Sequence, residues 1–312
     1  MQEGNRLSRV HQFAVLLCSC TVVLLIAGAL VTSNDAADSV PDWPLSYGKL
    51  IPPMVGGIRY EYMHRVIAGL VAILTLVLAI WIARVDKRPW MRRLGWTALG
   101  LVVAQALLGG LRVLEGHAAI SATAHAVLAQ IFFITLVSIA LFTSGWWQGK
   151  ALSFQDTRSP RVTTLATWTT VAIFVQLVLG ALFRHGAFGI LPHLIGAAVV
   201  SVMVIWAAAV AKRRFARVPA MRRAVIWLHS TFGTQIILGG AAYWAILKSA
   251  DTTQPDLTYV ILSVAHVAVG ALLLASSLLF TMVSYRLVHP AGEGLPAVET
   301  LNASAAAPAE TR

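Results

Sequence analysis

Apolar runs long enough to cross a bilayer recur along this chain, and they leave few folds open to it. A helix needs about 20 largely apolar residues to span a hydrocarbon core of about 30 Å. Eight such runs stand at 12–33, 61–83, 94–114, 121–143, 163–184, 190–211, 224–247 and 258–285. In lipid the backbone must satisfy its own hydrogen bonds, so each run reads as a helix; barrel strands would be shorter and would alternate. The chain is 58% hydrophobic and 12% charged, too little polar surface for a soluble protein of 312 residues. The expectation is an all-α integral membrane protein with eight transmembrane helices. The first run is too long for the core of a signal peptide, and no small-residue cleavage site follows it, so it is expected to remain as an anchor.

The basic residues set the orientation. Arg6 and Arg9 precede the first run, and Arg84, Lys87, Arg88, Arg92 and Arg93 lie between the second and third. Lys150, Arg158 and Arg161 follow the fourth, Lys212, Arg213, Arg214, Arg217, Arg222 and Arg223 follow the sixth, and Arg286 follows the eighth. All of these fall on one side. The other side holds Lys49, Arg59, Arg65, Arg112, Arg184 and Lys248. The positive-inside rule then puts both termini in the cytoplasm, in a cytoplasmic (inner) membrane. The net charge of +11 is therefore a topology signal with a contribution from anionic lipid, and no nucleic-acid partner is expected. Cys18 and Cys20 sit two apart on one helix and point to nearly opposite sides, so they read as small apolar residues.

One connection is long. Residues 34–60, "NDAADSVPDWPLSYGKLIPPMVGGIRY", join the first two runs on the outer side. Their prolines and adjacent glycines predict turns, and their Trp, Tyr, Leu and Ile predict an ordered, packed loop. The segment 291–312, rich in Ala, Pro and Glu, reads as a disordered tail. An internal repeat divides the rest. "HRVIAGLVAI" from His64 matches "HLIGAAVVSV" from His193, and "HAVLAQIFFI" from His125 matches "HVAVGALLLA" from His266. "QALLGG" at Gln105 matches "QIILGG" at Gln235, with "QLVLGA" at Gln176 a related form. Taken in order, these give two pseudo-symmetric four-helix bundles, 1–150 and 151–290.

The repeat also orders the histidines. His64, His125, His193 and His266 each open an even-numbered run, so all four are expected at a similar depth near the outer face. A single intramembrane His is most often a hydrogen-bonded packing residue. Four at equivalent positions mark a site, and imidazole is a strong ligand for iron. Two per bundle on facing helices is the arrangement that sandwiches a haem, with small residues nearby (Gly69, Gly196, Ala124, Ala126, Gly270) leaving room. A zinc site would need further ligands, and no Cys or carboxylate cluster offers them. His11 and His289 flank the runs and are expected to be solvated; His229 is expected to be a packing residue, and His117 and His185 lie on the outer side near the proposed sites.

Glu61 stands three residues before His64, on the same face, and Arg65 follows it. The plain reading is an i,i+4 ion pair in a first turn. The functional one is a carboxylate that exchanges a proton in the pocket, with Arg65 and Arg184 as cofactor-binding residues of the kind that hold a haem propionate. The positions before His193 are Ile190, Leu191 and Pro192, so the second half has no such acid.

At these residues the chain resembles the haem A synthase family. The resemblance covers about 12–285 and is carried by "PDWPL" at 41–45, "GKLIPP" at 48–53, the "ExxHR" of Glu61, His64 and Arg65, and the four histidines in order. It implies that His64 and His125 bind the substrate haem O and that His193 and His266 bind a haem b. It also implies that Glu61 is the catalytic acid. The implied reaction oxidises the C8 methyl of haem O in two steps, through a gem-diol that loses water, to the formyl of haem A. It further implies haem O synthase as a candidate donor, a separate electron donor, and a homo-oligomer as a candidate assembly. Many members carry cysteines on either side of "PDWPL"; Val40 and Ser46 stand there in this chain. The alternatives that the residues leave open are a diheme b-type electron carrier and a haem transporter.

Overall fold

The computed structural model describes residues 2–37, 39–115, 119–150, 152–249 and 255–289. Long helices fill nearly all of it: α1 (Gln2–Ser33), α2 (Ile58–Val85), α3 (Pro89–Glu115), α4 (Ala119–Thr143), α6 (Val162–Arg184), α7 (Leu191–Phe215), α8 (Pro219–Lys248) and α9 (Leu257–Leu287). A single turn, α5 (Gly145–Gln148), and a two-residue parallel pairing of β1 (Phe154–Gln155) with β2 (Val288–His289) complete the described elements. His117 and the segment 291–312 lie outside the described residues.

Seven of the long helices are long and apolar enough to cross a membrane; α8 is not among them. The reason is visible in its middle, where His229, Ser230, Thr231, Thr234 and Gln235 replace apolar residues. The chain is a multi-pass helical membrane protein. Large apolar side chains such as Leu16, Ile73, Trp168, Ile195, Val202 and Ile237 stand exposed on the helix surfaces, as lipid-facing positions require and water-facing ones forbid.

Helices α1 and α3 each pack on α2 and α4, while α6 and α8 each pack on α7 and α9. The two sets meet where α1 and α4 lie against α9, and α4 against α6. Leu17, Val71, Leu78, Ile82, Phe132 and Leu136 form the core of the first set. Val162, Leu165, Val204, Leu228, Leu274 and Phe280 belong to the core of the second. Phe133, Ala271 and Ala275 pack with Cys18, Val22 and Leu25 where the sets join. Lipid is as apolar as these side chains, so close packing and polar bonds carry the association. Thr170 contributes one such node, with hydroxyl bonds of 2.7 Å to Ser277 and 2.8 Å to Thr281.

The end remote from loop 34–57 is tied by buried carboxylates. Asp86 caps the end of α2, takes the Arg88 guanidinium, and Arg88 also reaches the Phe142 carbonyl of α4 at 3.2 Å. These bonds, with Arg92 nearby, hold the Asp86 carboxyl below the usual range even though burial pushes it up. Asp156 plays the same part before α6: it accepts the Val162 N–H at 2.9 Å and the Arg214 guanidinium at 3.0 and 3.1 Å. His11, expected to be solvated, is held by the Ala140 carbonyl, 2.8 Å from its Nδ1. His289 is half-buried because β2 pairs with β1.

Arg214→Met removes the charged partner of the buried Asp156 and is expected to destabilise the protein by about 1–3 kcal/mol, measured as the shift in its unfolding midpoint in detergent. Arg213→Met, one residue away on an exposed face, should leave that midpoint in place.

Candidate functional site

Each of the four histidines lies on a glycine of the preceding helix. A Cβ placed on Gly28 of α1 would stand 3.1 Å from His64 Cε1, and one on Gly109 of α3 would stand 3.0 Å from His125 Cε1. The corresponding distances are 2.9 Å from Gly180 of α6 to His193 Cε1 and 3.0 Å from Gly239 of α8 to His266 Cε1. The same ring atom is nearest in all four cases, so one orientation of imidazole against neighbouring helix is repeated through the molecule.

The glutamines of the repeat support three of these contacts from one turn below the glycine. Gln105 Nε2 donates to the His125 carbonyl at 3.0 Å. Gln176 Nε2 donates to the His193 carbonyl at 2.8 Å and lies 3.0 Å from His193 Nδ1. Gln235 Nε2 is 3.3 Å from His266 Nε2. Leu24 holds the equivalent place in α1. Gly196 and Gly270, expected to leave room for a macrocycle, instead make room for these amides: a Cβ there would meet Gln176 Oε1 at 2.1 Å or Gln235 Nε2 at 3.1 Å.

The His193–His266 pair has the spacing of two rings that hold a metal from two sides. The centroids of His193 and His266 are 6.3 Å apart with their planes at 80°. A metal atom bonded to one nitrogen of each ring, at about 2.0–2.1 Å per bond, needs roughly that separation. His125 lies within electrostatic reach of His64. The Nδ1 atoms of His64, His125 and His266 are buried, and the backbones of Leu24, Gln105 and Gln235 on the preceding helices are placed to engage these three rings. Among the described residues no group of three or more His, Cys, Asp or Glu converges. The donor set is two imidazoles, which suits an iron whose other positions a porphyrin fills.

Loop 34–57 closes over the first pair. The Trp43 ring lies on Gly110, where a Cβ would meet Cδ2 at 2.6 Å, one residue from the glycine beneath His125. Ser39 packs on Gly57, the residue that opens α2. Asp42 takes the N–H groups of Tyr47 and Gly48 at 2.6 and 2.7 Å, folding the "PDWPLSYG" turn through the positive φ of both residues (55° and 67°). Those bonds, the one from Gly48 foremost, hold the Asp42 carboxyl below its ordinary range.

Glu61 is buried beneath this loop at 5% exposure. One carboxylate oxygen accepts the Val40 N–H at 3.1 Å, and the other pairs with Arg65. Two charge-assisted bonds of about 1.5–3 kcal/mol each offset the roughly 2.5–3.5 kcal/mol that a charge within a membrane segment costs. Arg65 also donates to the Asp42 and Leu45 carbonyls, both at 2.8 Å. The anion expected for Arg65 is thus supplied by the chain itself. Arg184 instead donates to two neutral groups, the Ala29 carbonyl at 3.1 Å and Ser33 Oγ at 2.7 Å.

Two further residues join the site: Arg112, to which sequence reasoning gave no role there, and His185, which it expected near the proposed sites. Arg112, one turn beyond the glycine under His125, lies within electrostatic reach of Glu61, His64 and His125. His185, from the second half, reaches His125 in the same sense. Burial first, then the Arg112 and Arg184 guanidiniums, push His185 down to about 4, so it stands neutral. Arg112 comes to the site through packing of α3 within the first half, and His185 through packing between the halves. The cradling glycines had a local sequence signal: a Gln followed four residues later by Gly recurs in α3, α6 and α8.

The chain is similar to known proteins over most of its length. The profile of the COX15-CtaA family, described as cytochrome oxidase assembly protein, matches residues 58–282. A Symbiobacterium thermophilum protein named heme A synthase is 29% identical over 264 residues, 72% of this chain and 83% of that protein. Proteins of the same name from Lysinibacillus sphaericus and Alkalihalophilus pseudofirmus are 30% identical over 182 residues and 33% identical over 136 residues. These cover 55% and 42% of this chain, and 57% and 43% of the two relatives.

The glycine cradles can be tested directly. Gly180→Ala and Gly109→Ala each press a methyl against an imidazole and should lower the bound iron or its bis-imidazole spectrum at one pair. Gly240→Ala, beside Gly239 but with nothing within 4 Å of the new methyl, should leave both unchanged.

Proposed function

Because the chain belongs to the COX15-CtaA family of cytochrome oxidase assembly proteins, we propose that it is a haem A synthase, a membrane oxidoreductase that converts the C8 methyl of haem O to the formyl group of haem A. The observation that carries this is the buried Glu61, one turn from His64, under a packed loop at one of two otherwise equivalent histidine pairs. A simple diheme carrier or a transporter has no use for an acid there.

In this reading the chain forms two pseudo-symmetric four-helix bundles, 1–150 and 151–290, with α8 as the eighth span. Both termini face the cytoplasm across the cell's inner membrane, and the histidines lie near the outer face. His64 and His125 hold the substrate haem O, and His193 and His266 hold haem b. Haem b, when bound, supplies one-electron transfer. Glu61 exchanges a proton at its carboxylate as the methyl is oxidised, and the Arg65 ion pair keeps that carboxylate oriented. Trp43 and the "PDWPL" turn exclude water from the first pair, with Arg65 clamping the turn through two carbonyls. Val40 and Ser46, both buried, take by packing the positions that thiols hold in many relatives. Haem O synthase as donor, a membrane electron donor and self-association complete the proposal.

Glu61→Gln keeps the side chain's shape and an acceptor for the Val40 N–H. Expressed in a host that makes haem O, it should bind haem as the unaltered protein does while haem A formation falls by about 10²-fold or more, read by chromatography of extracted haems. Haem A at the normal rate would remove the proton-transfer role.

A further inference from the structure

We propose that Arg184 is a shared positioning cation of the two histidine pairs, fixing α1 against α6 and lending one positive charge to both; this rests on the two-site reading above. The contacts run through it without a gap. The His193 ring lies on Gly180, one helical turn before Arg184. The Arg184 guanidinium donates to the Ala29 carbonyl and to Ser33 Oγ, which is itself buried. Ala29 directly follows Gly28, on which the His64 ring lies. His266 is within electrostatic reach of the same guanidinium. One cation is therefore a single turn from the cradle of one pair and a single residue from the cradle of the other.

The plainer account is a staple between two helices. Asp35, an exposed acid just past the end of α1, is within electrostatic reach of the guanidinium, but both groups that it bonds are neutral, so the staple itself needs the hydrogen bonds and not the charge. An uncharged amide would bind them without the cost of placing a guanidinium at the end of a membrane segment. A charge held there instead favours the reduced form of any iron nearby, because oxidation adds a positive charge to the site. Arg184 also brings its neighbour His185 to the first pair, so the second half completes the surroundings of the first.

The test is an optical redox titration of the full-length protein, purified in detergent from a host that makes haem O. The unaltered protein should show two haem waves. Arg184→Met should retain both haems and shift both waves to lower potential, with Arg184→Lys restoring them. Arg184→Gln, which keeps a donor for the Ala29 carbonyl but drops the charge, should shift both as well and serves where the Met variant does not accumulate. A shift of one wave alone, or of neither, with both haems bound overturns the shared role. An unaltered protein that carries a single haem overturns instead the two-site reading, and is told apart because no substitution is involved.

Discussion

The close approach of an imidazole to a glycine backbone on the preceding helix is the contact on which the rest of this structure depends. It occurs four times with the same ring atom nearest, and at each place a methyl group would stand about 3 Å away. In a bilayer, helices gain little from burying apolar surface against one another, so contacts that require small residues decide which faces meet. A histidine needs such a contact twice over. Its ring must be excluded from lipid, and one nitrogen must remain free to point at a ligand. The glycine allows the ring to lie flat on the neighbouring helix, and in three helices the glutamine a turn below fixes where it lies. Two helices joined by a histidine on a glycine make one hairpin, and two hairpins bring two imidazoles to face each other, as His193 and His266 do.

Upon that shared frame the two halves differ in charge. In the first, an acid and a guanidinium enter α2 within its first turns and are satisfied by a loop that folds back over them. The loop and the pair need each other. Glu61 and Arg65 without the carbonyls of Asp42 and Leu45 and the N–H of Val40 would be charges in a membrane segment with too few partners. The loop without Arg65 would leave two carbonyls open above the histidines. This mutual dependence explains why so long a connection is ordered where the other loops are short.

Much of this was legible in the amino-acid order. The apolar runs locate every long helix, and their ends differ from the runs mainly where polar turns continue the helix past the apolar region, as Gln2–Val10 does before the first run. The exception is α8, whose polar middle weakens the apolar signal even though the helix is complete. The order of histidines and glutamines pointed to His193 and His266, whose rings do approach each other, and Glu61 stood out as an acid in an apolar run. What could not be read is what depends on distant segments meeting. The partners of Arg65 and Arg184 are backbone carbonyls, which carry no residue signature. The β1–β2 pairing is two residues long and exists only because residues 154 and 288 come together. The glycines that receive the rings lie on other helices from the histidines, and only a repeat across three helices hints at them.

On the proposed reading, the asymmetry between the halves bears on how one scaffold would serve two roles. Duplicated bundles would hold two equivalent cofactors, and identical surroundings would give no reason to treat one as substrate. A buried acid, a closing loop and Arg112 change the first site without touching its histidine frame. The second keeps Ile190, Leu191 and Pro192 where the first has its charged turn, and on the proposed reading it would hold its ligand without an adjacent acid, which favours holding over reacting. Chemistry can then be confined to one pair while the other stays inert, provided the two remain at a fixed separation. The contacts between the two sets, made through Phe133, Ala271 and Ala275 against Cys18, Val22 and Leu25 and through Arg184 on Ser33, set that separation, so on this reading the join between halves is as much a part of the site as the imidazoles are.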